Sequence, residues 1–514
     1  MRYVLALVVA CAFLGGGSLA VTQVMAQLGQ FPFVVTREGQ MLGFVEGGVA
    51  SFKGLAYASP PVGRLRWRPP QPAPASSEMR TAYDYGPACL QPAVSYASED
   101  CLTLNVFRSF DADGPLPVMV FIHGGSFIRG GASDRLFDGA RLARAGVIVV
   151  TPNYRLGAFG WLANPAHAEG ASDGVAANYG LTDQIAALRW VHDNIAAFGG
   201  DPNNVTLFGS GAGAISVALL MLCEQARGLF HKAILQSVAA RQRLPSLRMA
   251  QAVGLQLFEA IGPDGTGLDP RAVDAKLLLA AENLLLARSS RSFGPTADGI
   301  VVTDDIAAGF GAGRESRIPL IIGSNEDETS FDSEPDLGEE LAAAGGSADE
   351  LRKLHPDFSG RPASLAARLY TDRVFTEPVR LLARLHAATG SPTFRYRFAY
   401  VSEAQRSGSE GGHGGELQFI FGAEGVPGAG VFTHGDREVA NRLRTYWTNF
   451  AKTGDPNETG DPNATSDPSE PTLPHWDASS DRERLLLISN DGISSGEDPW
   501  WNRLDRIERR NSKR

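Results

Sequence analysis

Six short, apolar runs rich in β-branched residues most narrowly limit how this chain folds: residues 118–122, 147–151, 205–208, 233–236, 320–323 and 393–398. A strand buried on both faces, as in a parallel sheet, reads as a continuous apolar run rather than an alternating one. Helical stretches separate the runs. Residues 179–198, for example, carry Ile185, Leu188, Trp190, Val191 and Ile195 at helical spacing. Strands alternating with helices predict an α/β protein with a mostly parallel central sheet flanked by helices. Such sheets bind ligands beyond the carboxyl ends of their strands, so the residues following each run are where chemistry is sought. Residues about 240–312 and 338–390 read as mostly helical, without a Gly/Ser linker. They are expected as helical insertions over the pocket, forming its walls or a lid.

At 514 residues the chain is long enough to bury a large core. With 43% hydrophobic and 20% charged residues it is neither disordered nor polytopic in a membrane. The net charge of −10 argues against a nucleic-acid partner. Residues 1–26 read as a secretory signal peptide. Arg2 is the only charge, an apolar run follows from Tyr3 to Leu14, and small residues offer cleavage after Ala26 or after Ala20. Gly15-Gly16-Gly17-Ser18 interrupts the run too early for a membrane span. The mature chain is therefore expected to be secreted or periplasmic, with no stable membrane span and residues 27–514 as one domain.

Of the four cysteines, Cys11 leaves with the signal, which makes Cys89 and Cys101 the expected disulfide in an oxidising compartment. A loop of that size contributes about 3 kcal/mol on a chain-entropy argument. Cys223, in an apolar helix-like run, reads as a buried core thiol. No Cys/His spacing resembles a metal site, and no cofactor motif is present. The repeated Asp-Pro pairs between Gly454 and Leu473 read as successive turns of an exposed loop.

After the run at 118–122 comes His123-Gly124-Gly125-Ser126-Phe127, where small residues let backbone N–H groups approach a developing oxyanion. By itself that is an ordinary tight turn. Other motifs change its weight: Phe52-Lys53-Gly54-Leu55-Ala56-Tyr57, Glu99-Asp100-Cys101-Leu102-Thr103-Leu104-Asn105-Val106, Asn153-Tyr154-Arg155-Leu156, Asn178-Tyr179-Gly180-Leu181-Thr182-Asp183-Gln184, Phe198-Gly199-Gly200-Asp201-Pro202 and Tyr446-Trp447-Thr448-Asn449-Phe450. Together these resemble the type-B carboxylesterase family, the α/β-hydrolases that include cholinesterases and para-nitrobenzyl-type esterases. The resemblance runs from about Phe33 to Trp501.

The resemblance implies an α/β-hydrolase fold and a small-molecule carboxylic ester or acyl ligand. It places the triad acid at Glu328 and the triad histidine at His413, and it implies an oxyanion hole from the amides of Gly125, Ser126 and Ala212. An acid of this kind fixes the imidazole tautomer while the imidazole takes a proton from the nucleophile. The pattern breaks at the nucleophile. The family has Gly-Glu-Ser-Ala-Gly, whereas this chain has Gly209-Ser210-Gly211-Ala212-Gly213. Gly211 stands at the nucleophile position and has no side chain with which to attack. Ser210 is a substitute only if the elbow shifts by one residue, which would put Phe208 where a small residue is needed. Val238 is a further departure, standing where the family usually has Gly.

Three functions follow from this reading. The first is an exported protein with an ester pocket and an oxyanion hole but weak or no serine-esterase turnover. The second is an active ester hydrolase using Ser210 or water activated by His413. The third is a non-catalytic interaction protein. Glu328 and His413 could also persist as a purely structural pair joining two loops.

Overall fold

The structure is a computed structural model that describes residues 31–163, 177–262, 269–288, 293–329, 335–355, 362–403, 412–427, 429–460, 473–479 and 483–511. The signal-peptide reading of residues 1–26 lies outside the described residues, as does most of the Asp-Pro segment. Eleven strands form the main sheet, in chain order β1 (Phe44–Glu46), β2 (Val49–Ala56), β3 (Thr103–Ser109), β4 (Leu116–Ile122), β5 (Ile148–Pro152), β6 (Gly200–Ser210), β7 (Lys232–Gln236), β8 (Leu320–Asn325), β9 (Thr393–Phe398), β10 (Arg484–Ser489) and β11 (Gly492–Glu497). Across the sheet they run β11-β10-β9-β8-β7-β6-β4-β5-β3-β2-β1. The six apolar runs of the sequence lie in β4 to β9 and pair in parallel.

The strands that the apolar pattern did not reveal are β1, β2, β3, β10 and β11. Apart from the parallel pairing of β10 with β9, all of their pairings are antiparallel. They lie toward the two edges and mix polar with apolar residues. β11, Gly492–Glu497, is exposed or half-buried throughout, whereas β7, β8 and β9 are buried at every position. A one-sided or edge strand needs no continuous apolar run, so that signal fades toward the sheet margins.

Side chains alternate between two cores. Val118, Val120 and Ile122 of β4 face one, while Met119 and Phe121 face the other. The first core is closed by α1 (Tyr179–Asn194) and α2 (Ala212–Leu222), the second by a long later helix, His434–Thr453. Full burial of a side chain such as Phe121 or Phe208 contributes roughly 2–3 kcal/mol. The predicted insertions contain α3 (Leu247–Ile261) and α4 (Ala275–Arg288), which pack on each other. α4 docks on the core through Glu282, whose Oε2 accepts the Ala158 amide at 3.1 Å.

Cys89 and Cys101 form a disulfide and are both buried, while Cys223 is free and buried, with its thiol pushed up by burial. Among the described residues no helix is long and apolar enough to cross a membrane.

Candidate active site

β6 ends at Ser210 and α2 begins at Ala212, so the whole change of direction falls on Gly211. Its φ of +57° and ψ of −117° lie where a side chain is disfavoured. The Gly211 amide still donates to Gln236 O at 2.9 Å, and Gly211 O accepts from Ile215 N at 2.9 Å, so the residue closes the strand pairing and opens the helix. Close approach fixes the register. A Cβ on Gly213 would fall 2.0 Å from Ile122 O, and one on Gly209 would fall 2.6 Å from the Gly213 carbonyl carbon. The two positions flanking Gly211 at ±2 therefore admit no side chain, and the turn is centred on residue 211. A Cβ at Gly211 itself would point at His413, 2.5 Å from Nε2. Ser210 is buried beside it, with Oγ 3.9 Å from where a Gly414 Cβ would stand.

Glu328 follows β8 and is buried, with its oxygens surrounded by donors. Oε1 accepts from the Asn325 amide and from Ser237 Oγ, each at 2.6 Å. Oε2 lies 2.7 Å from His413 Nδ1. The Glu328 amide donates to Thr371 Oγ1 at 3.0 Å, and the His413 amide donates to Thr329 O at 3.2 Å. The ring of Phe375 sits 5.3 Å from the imidazole. Burial opposes charge on His413, but the hydrogen bond that its Nδ1–H donates to Glu328 and the Glu328 charge outweigh it, so its pKa is raised above 6.5. The outer edge of the ring stays open, with 31% of the side chain exposed. An imidazole held in this way at Nδ1 presents Nε2 to the elbow, where it can take a proton from a group lodged there.

The third segment, 123–127, is conformationally unusual. Gly125, Ser126 and Phe127 have φ of +110°, +55° and +64°. For Ser126 and Phe127 the left-handed region costs about 1–2 kcal/mol each, a cost met by local anchoring. Gly125 O accepts from the amides of Ile128 and Arg129, Phe127 O accepts from the Gly157 amide, and Phe127 packs edge-on against Trp161 at 4.8 Å. The segment abuts the elbow, since a Cβ on Gly124 would fall 2.7 Å from Ser210 O. Among the described residues the amides of Gly125, Ser126 and Ala212 donate to no backbone carbonyl. His123 is neutral at pH 7, because burial outweighs its hydrogen bond with Gly124 O and brings its pKa down to about 4. Its ring stacks on Tyr154 at 4.4 Å. The disulfide loop is tied to the chain just beyond this segment by Gln91, which bonds both Cys89 O and the backbone of Gly130.

The structure thus brings Gly211, Glu328 and His413 together and sets Gly124 against Ser210. Sequence reading did not single out Ser237, Thr371, Phe375 or Glu416. Ser237, with φ of +61°, directly follows β7, so the rule of reading each strand's carboxyl end reaches it. Thr371 and Phe375 come from the helical insertion and carry no local signal. Val238 is fully buried and belongs to the first core. Among the described residues no group of three or more His, Cys, Asp or Glu is arranged to hold a metal ion.

Comparison with known proteins gives consistent matches. A profile of the carboxylesterase family matches residues 30–345 and 351–497. The chain is 34% identical over 495 residues to a fumonisin B1 esterase of Sphingopyxis macrogoltabida, covering 90% of this chain and 87% of that protein. It is also 34% identical over 495 residues to a para-nitrobenzyl esterase of Bacillus subtilis, covering 91% and 96%. A solved carboxylesterase structure from Geobacillus stearothermophilus superposes with a TM-score of 0.80 at 32% identity, covering 92% of this chain and 99% of that one.

Proposed function

The chain belongs to the carboxylesterase family, and from that premise we propose that it is an exported ester-binding protein that keeps the acid–base half of a hydrolase site but lacks its serine nucleophile, so that serine-type turnover is weak or absent. Residues 27–514 would form a single hydrolase unit, and its ligand class would be small carboxylic esters or their acyl products. The observation that carries this reading is the direction of the missing side chain. A Cβ at Gly211 would begin 2.5 Å from His413 Nε2, the place from which a nucleophile would hand over its proton.

The same geometry argues against Ser210 as a substitute. The spaces that must stay empty are at Gly209 and Gly213, which are centred on residue 211. An apex at 210 would need that space at Phe208, which is fully buried in the second core. The amides of Gly125, Ser126 and Ala212 are the proposed oxyanion donors, because among the described residues they have no backbone acceptor and their segments meet at the elbow. A second reading, direct hydrolysis by water, is favoured by the retained Nδ1 bond to Glu328, which leaves Nε2 free to act as a base toward water at the elbow.

The test is steady-state hydrolysis of para-nitrophenyl butyrate by the mature chain, by His413→Ala and by Gly211→Ser. The proposal expects little difference between the first two and a large gain in the third. Turnover in the unaltered chain that depends on His413 would instead establish the water route. If Ser210→Ala abolished it, the register given above would be wrong.

A further inference from the structure

Behind the Glu328–His413 pair lies a second carboxyl group. Glu416 is fully buried. Its Oε1 accepts from Gln236 Nε2 at 2.9 Å and from the Tyr396 hydroxyl at 3.2 Å. Among the described residues its Oε2 has no donor, and the buried amide oxygens of Gln236 and Asn325 have none either. The amide nitrogens of both residues are already committed, that of Gln236 to Glu416 Oε1 and that of Asn325 toward Ser237 Oγ and Glu328. Turning the Asn325 amide over would aim its oxygen at the Glu328 carboxylate, so that rotamer offers no relief. Three enclosed acceptors without a donor would each carry a penalty of about 1–3 kcal/mol. One hydrogen atom changes the count, since a carboxylic acid donates where a carboxylate only accepts.

We propose that Glu416 is a neutral carboxylic acid whose Oε2–H donates to a buried amide oxygen beside it, leaving Glu328 as the single carboxylate that acts on His413. The titratable groups that face it are Glu328, His413 and Tyr396. Enclosure and the neighbouring Glu328 charge both favour the protonated form, against the hydrogen bond from Gln236 and the nearby Asn325 amide nitrogen, which makes no hydrogen bond to Oε2. The consequence is electrostatic. A second carboxylate behind the imidazole would raise its pKa further and keep it protonated, and so idle as a base, to higher pH, whereas one fixes the tautomer with less of that cost. Glu416 is thus a positioning residue that sets the base strength of His413. Its value to catalysis rests on the reading of His413 as the base, but its protonation does not.

The experiment uses the full mature chain and its Glu416→Gln variant, with two readouts that need no turnover. In infrared spectra at pH 7, the unaltered chain should show a protonated-carboxyl carbonyl band that Glu416→Gln lacks. In imidazole NMR, the midpoint of His413 should stay within about 0.3 pH unit on substitution, because a neutral group replaces a neutral group. The absence of any band difference, or a fall of about one unit or more in the His413 midpoint as expected for loss of a nearby anion, would overturn the proposal. Glu416→Met is likewise uncharged and gives the same two readings if the Gln variant does not fold. A positive result here with no esterase gain in Gly211→Ser would reject the functional reading and leave the proton in place.

Discussion

The candidate site is built from two halves of different material. One is backbone: the Gly124–Phe127 segment and the turn from Gly209 to Gly213 touch each other where Cβ atoms cannot fit. The other is side chain: Glu328, His413 and Ser237 from separate loops and Thr371 from the end of a helix are linked by hydrogen bonds. The halves respond differently to change. The backbone half depends on what is absent, so a glycine at residue 211 leaves its geometry undisturbed. The side-chain half depends on partners, and removing the imidazole would leave the buried Glu328 carboxylate without one of its partners, which is costly. Loss of a nucleophile at 211 removes a reactant without loosening either half.

The largest test of that contrast is to put the reactant back. If both halves are intact, Gly211→Ser should raise para-nitrophenyl butyrate turnover by up to about 10⁶-fold, the inverse of what nucleophile loss costs a serine hydrolase. His413 must yield slightly to admit the new side chain, and no gain would mean that the halves no longer meet correctly. In that background Glu328→Gln should lower turnover about 10⁴-fold while leaving KM nearly unchanged, since it spoils the imidazole tautomer rather than ligand binding. An equal loss with Glu328→Gln and with an unrelated core variant would make the pair merely structural. The acid limb of the Gly211→Ser pH–rate profile should have its midpoint above 6.5, because the raised pKa keeps His413 protonated, and hence idle as a base, to higher pH.

Stability measurements probe the backbone half. Gly213→Ala should destabilise the protein by about 2–4 kcal/mol in denaturant melts, because its Cβ meets Ile122 O at 2.0 Å and neither β4 nor α2 can retreat. A neutral outcome would show that the strand–helix crossing is looser than described. The smallest effect concerns Glu282, which docks α4 next to the Gly157 amide that anchors Phe127. Burial raises its pKa from 4.5 to about 7. Between those values the folded chain binds a proton that the unfolded chain has released, so stability should fall by up to about 3 kcal/mol as pH rises through that window and level off above it. Glu282→Gln should flatten that slope, and an unchanged slope would assign it to other groups.

Much of this was legible in the chain. Continuous apolar runs announce strands buried on both faces, and so all six belong to the parallel centre of the sheet. The edge strands are not legible in this way, because β3 mixes Thr103, Asn105 and Arg108 with apolar residues and β11 carries Ile493 as its single apolar side chain. The elbow was readable because its flanking glycines are a local steric requirement carried in five consecutive residues. The partners of Glu328 were not. Ser237, the donor to its carboxylate, lies 91 positions away and is reached only by the rule of reading strand ends, while Thr371, the acceptor for its amide, lies 43 away with nothing nearby to mark it.

The sequence by itself determined the sheet centre, the family and the position of the turn at Gly211, because each depends on short-range sterics or on apolar continuity along the chain. Only the tertiary structure decided that a side chain at 211 would face His413 Nε2, that Ser237 and Thr371 hold Glu328, and that Glu416 is enclosed behind them. Those are distances between loops joined through the sheet, and they are fixed by how β6, β7, β8 and the insertions pack rather than by any residue's neighbours in the chain.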